Sequence, residues 1–380
     1  MKIFLLFSFV AAAVSLNAAV SFLGYLYPSG GERGKTVRVI AGGQKINGKV
    51  TILCSNPGVK LKSAFNVPYM GYFQPPQRKW LTEYMKNLYT GKLEKPPIPE
   101  DKDGYAWKKH AWLDDPGKLP LLERSLLANA LFVRANPLQA APSIASRVLL
   151  ELEIAPDAPV GPCRIRLVSG RNISNEKLFF VDSAREIQEL PYYPSFAKKP
   201  ELEPVRSIPS VLNGTIMPGE TDVFPVFLEK GKHYTFTMYA AEFSPYLGDT
   251  VPGHFQGTLL LRGPDGKETA FSDDEYHHPD PVLRFTAKQS GIYTLHISDS
   301  LKRGRSDFVY RVKITHGTLP FRPYGNVSGY SKGKKQLSAE KVPEKISSDL
   351  WKNGLDIKGN IQQTKGVSFA LNAKRRTVDC

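Results

Sequence analysis

The sequence predicts a mainly all-β protein made of two β-sandwich domains, an immunoglobulin-like sandwich followed by a second sandwich, with a helical hairpin inserted into the first. Three observations predict this fold class. The 380 residues include 30 prolines and 31 glycines, which interrupt the chain at short intervals. The runs between them are rich in β-branched and aromatic residues, as strands are. Two stretches with helical periodicity lie close together in the first half of the chain.

Residues 1–19 have the pattern of a secretory signal peptide. A lysine follows Met1, an apolar run extends from Ile3 to Val10, and small residues lead to Ala19, near which cleavage is predicted. The run is shorter than the roughly 20 apolar residues that a membrane anchor needs. We therefore expect an exported protein, located in the periplasm, on the cell surface or outside the cell, with no integral membrane span.

The first domain is predicted to span residues 20–183. Its helical insertion is expected at about 74–136, where Trp80, Tyr84 and Leu88 lie four residues apart on one stripe of a helix. Such a stripe is expected to pack the helix against its host sandwich. The strands flanking the insertion are predicted at 36–40, 49–54, 147–154, 163–168 and 177–181.

A glycine-rich stretch at 28–40, PSGGERGKTVRVI, superficially matches a phosphate-binding loop. That loop requires a strand before the glycines and a helix after them, because the helix amides hold the anion. Here the glycines are followed by Thr36–Ile40, an alternating β-branched run that predicts a strand. We therefore interpret the stretch as a turn leading into a strand, without phosphate chemistry.

Cysteine is scarce, and two of the three cysteines fall in predicted strands of the first domain. A bond between Cys54 and Cys163 would close a long loop and contribute ~4–5 kcal/mol through chain entropy. Alternatively, the two thiols are small buried apolar groups. Cys380 stays unpaired in either case.

Residues 184–200 are predicted to be a linker, because they contain three prolines, mixed charge and little periodicity. The second sandwich is predicted at 201–318, with aromatic and aliphatic residues such as Tyr234, Phe236 and Tyr310 in its core. Its seven strand candidates are 211–216, 222–228, 233–240, 258–262, 282–286, 292–298 and 308–314.

The last segment, residues 319–380, is basic. It has twelve Lys and Arg against five Asp and Glu, so it carries +7 of the total formal charge of +15. Its weak hydrophobic periodicity predicts a largely disordered tail. An exported chain without a basic motif fold makes nucleic acid a poor partner. The tail either touches anionic polymers of the cell envelope or is simply solvated.

The second domain resembles the bacterial pre-peptidase C-terminal (PPC) domain, a β-sandwich appended to secreted peptidases and other exported proteins. The resemblance lies in VLNGTIMPGETDVFPVFLEKGKHYTFTMYA, LLLRGPDGKETAFSDD and GIYTLHISD. The first domain is similar to the immunoglobulin-like segment that precedes this domain in secreted proteins of planctomycete and verrucomicrobial type, through PSGGERG and IAPDAPVG. After GTLPF the pattern is lost, which suggests a truncated relative.

This resemblance implies a possible calcium site. In some PPC domains, acids of an E-x-E-P-N segment and of a following turn hold calcium, and the matching residues here are Glu201, Glu203, Glu220 and Asp222. Hard oxygen ligands of this kind suit Ca²⁺. Val205 replaces the Asn of the pattern, so we expect calcium binding to be weak or absent.

Catalytic motifs are not evident in the sequence. None of the seven histidines lies in a nucleophile-elbow or H-E-x-x-H context. The sequence SDDEYHHPD places His277 and His278 beside Asp273, Asp274 and Asp280, but adjacent histidines do not readily bind one zinc ion without a third ligand at a defined distance. A solvated acidic loop is the alternative.

Two functions follow as expectations. The first is a non-catalytic exported protein whose sandwiches bind or space polysaccharide or protein. The alternative is a secreted hydrolase acting on glycans, with a site in the first domain where KKHAWLDD brings together His110, Trp112, Asp114 and Asp115.

Overall fold

The computed structural model describes residues 21–92, 94–98, 109–133, 141–244, 253–275 and 278–317, together with short stretches between 363 and 379. The predicted signal peptide lies outside the described residues, and so does most of the predicted tail. The short stretches form two antiparallel pairs, Gln363–Thr364 with Val367–Ser368 and Ala370–Asn372 with Thr377–Asp379.

The first sandwich contains nine strands in two sheets. They are β1 (Phe22–Tyr27), β2 (Gly30–Glu32), β3 (Thr36–Gln44), β4 (Val50–Cys54), β5 (Val59–Asn66), β6 (Ser146–Ile154), β7 (Gly161–Ser169), β8 (Asn172–Ile173) and β9 (Lys177–Asp182). One sheet has the order β1-β3-β6-β5, and the other has β2-β9-β7-β4 with β8 beside β7. A shared core of inward-facing residues, including Val39, Leu150, Ile165 and Phe179, joins the sheets. The strands predicted for this region are confirmed.

The helical insertion predicted at about 74–136 lies between β5 and β6. Its helices are α1 (Pro75–Tyr89), α2 (Ala111–Asp114) and α3 (Leu121–Phe132), with 3-10 turns at Met70–Tyr72, Pro116–Lys118 and Pro142–Ile144. The backbone N–H of Gln74 donates to the Gln77 side chain, which satisfies one orphan amide at the start of α1. Trp80 and Tyr84 pack with Tyr25 on the outer face of the β1-β3-β6-β5 sheet, so the predicted stripe is a packing surface.

The second sandwich also consists of two sheets around one core. The strands after β9 are β10 (Arg185–Gln188), β11 (Ser210–Thr215), β12 (Asp222–Leu228), β13 (His233–Tyr239), β14 (Gly257–Arg262), β15 (Glu268–Ser272), β16 (Val282–Thr286), β17 (Gly291–Asp299) and β18 (Val309–His316). The sheet orders are β10-β11-β18-β13-β16 and β12-β17-β14-β15. All seven predicted strands are present, and β15 is an additional strand that sequence reasoning missed. Tyr234, Phe236 and Tyr310 are buried in the core as predicted.

The prediction of a linker over 184–200 needs correction. Its first part is strand β10, which pairs in parallel with β11 and becomes the edge of the second sandwich. Ile187 packs against the second core, and Tyr192 packs against the core formed by the helical insertion. The segment is ordered because its apolar side chains contact both halves of the described structure.

Candidate functional site

The four predicted calcium ligands do not lie together. The side chain of Glu201 is 91% exposed and has Lys198 as its ion-pair partner at 3.9 Å, and Glu203 is also exposed. Val205 is buried in the second core, where its backbone forms a bridge to Val226. The apolar residue at the Asn position of the PPC pattern is thus a packing residue.

Glu220 and Asp222 do come together, and Glu189 is their third partner. The structure places ligand oxygens of these three residues, here called the acid cluster, within 4.8 Å of one another. Glu189 follows β10, Glu220 lies in the turn before β12, and Asp222 is the first residue of β12. Sequence reasoning missed Glu189 because it lies in the segment predicted as a linker and has no motif around it.

Each acid is held by hydrogen bonds from neighbouring elements. The backbone N–H of Met217 donates to Glu220 at 3.0 Å. The Tyr310 hydroxyl donates to Asp222 Oδ2 at 2.6 Å. The ammonium group of Lys199 contacts Glu189 and lies 3.5 Å from Glu220 Oε1. The acid cluster therefore already has a protein cation at one side.

The charges of the acid cluster are not fully compensated among the residues described. Glu189 Oε2 and Asp222 Oδ1 are buried oxygens without a hydrogen-bond partner. Burial, and then the neighbouring Glu189, raises the pKa of Asp222 well above its ordinary value. Burial also raises the pKa of Glu220, although Lys199 opposes that shift. The cluster is thus suited to holding either an extra proton or a hard cation.

A second polar centre, the arginine junction, lies where the two sandwiches meet. Arg311 of β18 is 2% exposed and makes a two-pronged ion pair with Glu186, at 2.9 and 2.6 Å. Its guanidinium also lies over the ring of Phe180, 5.7 Å from the centroid. On the same strand, Lys313 donates to Asp182 at 2.7 Å. These contacts connect β18 to β10 within its own sheet and to β9 of the first sandwich.

The glycine-rich stretch forms part of this junction. Gly30 lies in β2, and a Cβ at this position would lie 2.2 Å from Arg311 Nη1. The stretch is therefore a turn and strand, as predicted, and its glycine leaves space for a buried guanidinium of the other sandwich.

A third buried contact centres on Asp307. Arg305 makes two hydrogen bonds to its carboxylate, at 2.6 and 2.8 Å, and Ser143 of the insertion donates at 2.5 Å. Burial opposes ionisation, but His254, whose Nε2 lies 3.6 Å from Asp307 Oδ2, and hydrogen bonds from Arg305 and Ser143 hold the pKa of Asp307 well below its ordinary value. Unlike Asp222, Asp307 accepts hydrogen bonds on both carboxylate oxygens, and these stabilise its ionised form.

The residues of the hydrolase alternative have structural roles. His110 Nδ1 accepts from the backbone N–H of Trp112 and so caps α2. Asp115 accepts from the N–H of Gly117 and from the Tyr84 hydroxyl, both at 3.1 Å. Trp112 is buried, and Asp114 is exposed. Burial lowers the pKa of His110.

The histidine-rich loop gathers a different set from the predicted one. Ligand atoms of Glu242, His278 and Asp280 lie within 4.8 Å of one another. Asp280 accepts from the backbone N–H groups of Ala240 and Ala241, so it fastens the loop to the end of β13. Asp273 and Asp274 are exposed, and His277 lies outside the described residues.

A small pocket beside the helical insertion has room for little more than a water molecule and is lined in part by Tyr25, Ser125, Arg147 and Tyr192.

No family model matches the chain, and no curated protein matches it. Among solved structures, the adhesin InvE of Yersinia pseudotuberculosis is 10% identical, with a TM-score of 0.18, and the match covers 92% of this chain and 66% of that one, just under two thirds. The C-terminal domain of the Streptococcus pyogenes antigen I/II-family protein AspA is 9% identical, with a TM-score of 0.16, over 78% of this chain and 88% of that one. Lac15 from a marine microbial metagenome is 10% identical, with a TM-score of 0.11, over 41% and 37%. Similarity this weak says nothing about function, and the PPC resemblance stays a prediction.

One further finding concerns membranes. No helix in the described part of the chain has the length and apolar character that crossing a bilayer requires.

Proposed function

We propose that this protein is a non-catalytic exported protein whose two sandwiches act as one rigid module that binds or spaces polysaccharide or protein outside the cytoplasm. The observation that carries the proposal is the arginine junction. The pair with Glu186 holds the Arg311 guanidinium in place within the second sandwich, where it lies over Phe180 of β9 and 3.9 Å from Asp182. Lys313 also donates to Asp182, so these contacts join the sandwiches in one orientation, because any other leaves the partly buried Asp182 without its cations. A rigid join of two sandwiches suits a spacer or presenting element better than a hinged enzyme.

The sequence features support the same proposal. The signal pattern at 1–19 supports export, and the resemblance of the second sandwich to PPC domains supports an accessory role in an exported protein. The basic segment 319–380 is a further region by which the protein would adhere to anionic envelope polymers. The first experiment is mass spectrometry of cell fractions: a mature N-terminus near Ala19 or Val20 supports export, and an intact Met1 in the cytosol contradicts it.

Calcium is proposed as a weak ligand of the acid cluster. Carboxylate oxygens are the ligands that Ca²⁺ prefers. Among the described residues, the buried Glu189 Oε2 and Asp222 Oδ1 have no partner apart from each other's carboxyl, and they can hydrogen-bond to each other only when one of them is protonated. Lys199 already neutralises part of this charge, so a metal ion has to compete with its ammonium group. Glu189, Glu220 and Asp222 would hold the ion, whereas the exposed Glu201 and Glu203 would not.

The partner class is tested with a glycan and peptide array probed with the mature protein. The exposed face of β12-β17-β14-β15 supplies the variant, because Val223, His296, Leu260 and Phe271 are aligned in one row across its four strands. Phe271 is 60% exposed there, and Leu53 on β4 of the other sandwich is 50% exposed and serves as the matched control. Binding that is lost in Phe271→Ser and kept in Leu53→Ser would place the contact on this face.

The glycan hydrolase is the alternative, and a hydrolase screen run beside the array separates the two functions. Turnover that disappears in Asp114→Asn or Asp115→Asn would overturn the non-catalytic proposal. Binding without turnover supports it.

A further inference from the structure

We propose that Cys54 and Cys163 form a reversible disulfide in which Cys54 is the attacking thiol and Cys163 the resolving thiol. Cys54 is the last residue of β4 and pairs with Ile165 of the neighbouring strand β7. Cys163 lies two residues away on β7, so both cysteines point to the same face of the sheet. Their sulfur atoms are 3.8 Å apart.

This separation is close to a bonding geometry. A disulfide has its sulfur atoms ~2.05 Å apart, so the two atoms have to approach each other by roughly 1.8 Å. Rotation about the side-chain bonds of two neighbouring cysteines on the same face can supply a movement of this size. Neither strand has to change its register.

The two thiols have different surroundings, which assigns their roles. Cys54 is half-buried, and its sulfur accepts from the backbone N–H of Asn56 at 3.4 Å. Cys163 is 4% exposed, and its thiol donates to the carbonyl oxygen of Phe179 at 3.2 Å. The neighbouring Cys163 side chain lowers the pKa of Cys54 to about 7, whereas the contact with Cys54 and burial raise the pKa of Cys163. The reachable thiol is therefore also the one that ionises first.

The reaction uses an external disulfide as oxidant. The Cys54 thiolate attacks one of its sulfur atoms, which forms a mixed disulfide and releases one thiolate. Cys163, after losing its proton to solvent, attacks the Cys54 sulfur, which forms the protein disulfide and releases the second thiolate. Two protein thiols are oxidised, and the external disulfide is reduced to two thiols.

The bond would fasten an edge strand. β4 lies at the end of the sheet order β2-β9-β7-β4, and the closed loop contains the whole helical insertion. The reactivity is a property of the two strands alone, while its use in the cell rests on the proposed export, because disulfides persist in oxidising compartments.

The test uses the purified mature protein carrying Cys380→Ser, with oxidised glutathione as the probe. We expect a loss of two hydrogens in the intact mass, loss of both alkylatable thiols, and recovery of both with reduced glutathione. With Cys163→Ala added, Cys54 should accumulate a glutathione adduct. In the Cys380→Ser parent, where Cys163 still lowers the pKa of Cys54 to about 7, the initial rate of Cys54 alkylation should rise about fivefold from pH 6 to pH 7. With Cys54→Ser added instead, Cys163 should stay unmodified in the folded protein.

Two results would overturn the proposal. One is two free thiols in the folded Cys380→Ser protein at a large excess of oxidised glutathione. The other is preferential alkylation of Cys163 in that same protein, mapped on peptides after brief labelling, which does not depend on whether the second substitutions fold. Neither result would affect the proposed export, which the mature N-terminus tests separately.

Discussion

The cores of the two sandwiches and the junction between them are built from opposite kinds of residue. Each core is made of alternating aliphatic and aromatic side chains, such as Val39 and Phe179 in the first and Phe236 and Leu261 in the second. The junction instead contains charged residues, Arg311 and Lys313 of the second sandwich beside Asp182 of the first. An apolar core tolerates exchange of one hydrophobic residue for another of similar volume. A buried ion pair does not tolerate the loss of one member, so the junction defines orientation where the cores supply stability.

The largest expected effect comes from removing the guanidinium. Arg311→Met should lower the free energy of unfolding by about 3–5 kcal/mol, because Glu186 would keep its charge without its buried two-pronged partner. Urea unfolding of the mature protein measures this. Lys313→Met is the matched control on the same strand. Its side chain is 32% exposed, so about 1 kcal/mol or less is expected. Equal losses in the two variants would mean that the junction is not desolvated.

The second-largest effect distinguishes two buried carboxyls, Asp222 and Asp307, whose contributions to stability should change with pH in opposite directions. The pKa of Asp222 is raised in the folded protein, mainly by burial, so the native state binds the extra proton and its contribution to stability falls as pH rises from about 4. The pKa of Asp307 is lowered, so its contribution is present above the ordinary carboxyl pKa and is lost as pH falls.

Asp307→Asn should therefore cost about 1.5–3 kcal/mol at neutral pH and less in acid. Asp222→Asn should be neutral or stabilising by about 1 kcal/mol at neutral pH, since it removes a buried ionisable group. Urea unfolding of both variants between pH 4 and pH 8 measures how the change in unfolding free energy depends on pH. If that change varies with pH in the same direction in both variants, the acid cluster is balanced by a cation.

A smaller effect is expected at the glycine that makes room for the junction. Gly30→Ala should cost about 1–2 kcal/mol, because the added methyl group overlaps Arg311 and the backbone oxygen of Phe180. The same change in the Arg311→Met protein should cost less, since part of the overlap is gone. Thermal or urea unfolding of the four proteins gives the coupling energy. If Gly30→Ala costs the same in the parent and in the Arg311→Met protein, the added methyl group is strained only by its contact with the Phe180 backbone.

The smallest effect concerns calcium. With a dissociation constant of roughly 10⁻⁴–10⁻³ M, millimolar calcium should stabilise the mature protein by about 1 kcal/mol or less relative to chelator. Glu189→Gln should abolish this difference, whereas Glu201→Gln should leave it unchanged. Melting curves with calcium and with chelator measure it. Loss of the response in Glu201→Gln would favour the ligand set implied by the PPC pattern over the acid cluster.

Most strands of the second sandwich, five strands of the first and the two long helices could be predicted from the sequence, because the alternation of apolar residues in runs such as 222–228 and the four-residue spacing of Trp80, Tyr84 and Leu88 are local signals. In the first sandwich β1, β2, β5 and β8 were not predicted. β15 was missed because ETAFS has exposed residues at most of its positions, so it lacks the alternation. β10 was missed because its pairing with β11 depends on a partner more than 20 residues away.

Which polar groups meet was decided by the tertiary structure alone. Glu189 joins Glu220 and Asp222 only because β10 lies beside β11 and brings its end to the turn before β12. Gly30 and Arg311 lie in contact, although they are about 280 residues apart in sequence. The sequence by itself determined where most strands and the long helices form, because those depend on neighbours along the chain. The burial that perturbs the carboxyls and brings Cys54 near Cys163 exists only once the sheets are assembled, since burial and low dielectric are properties of the packed molecule.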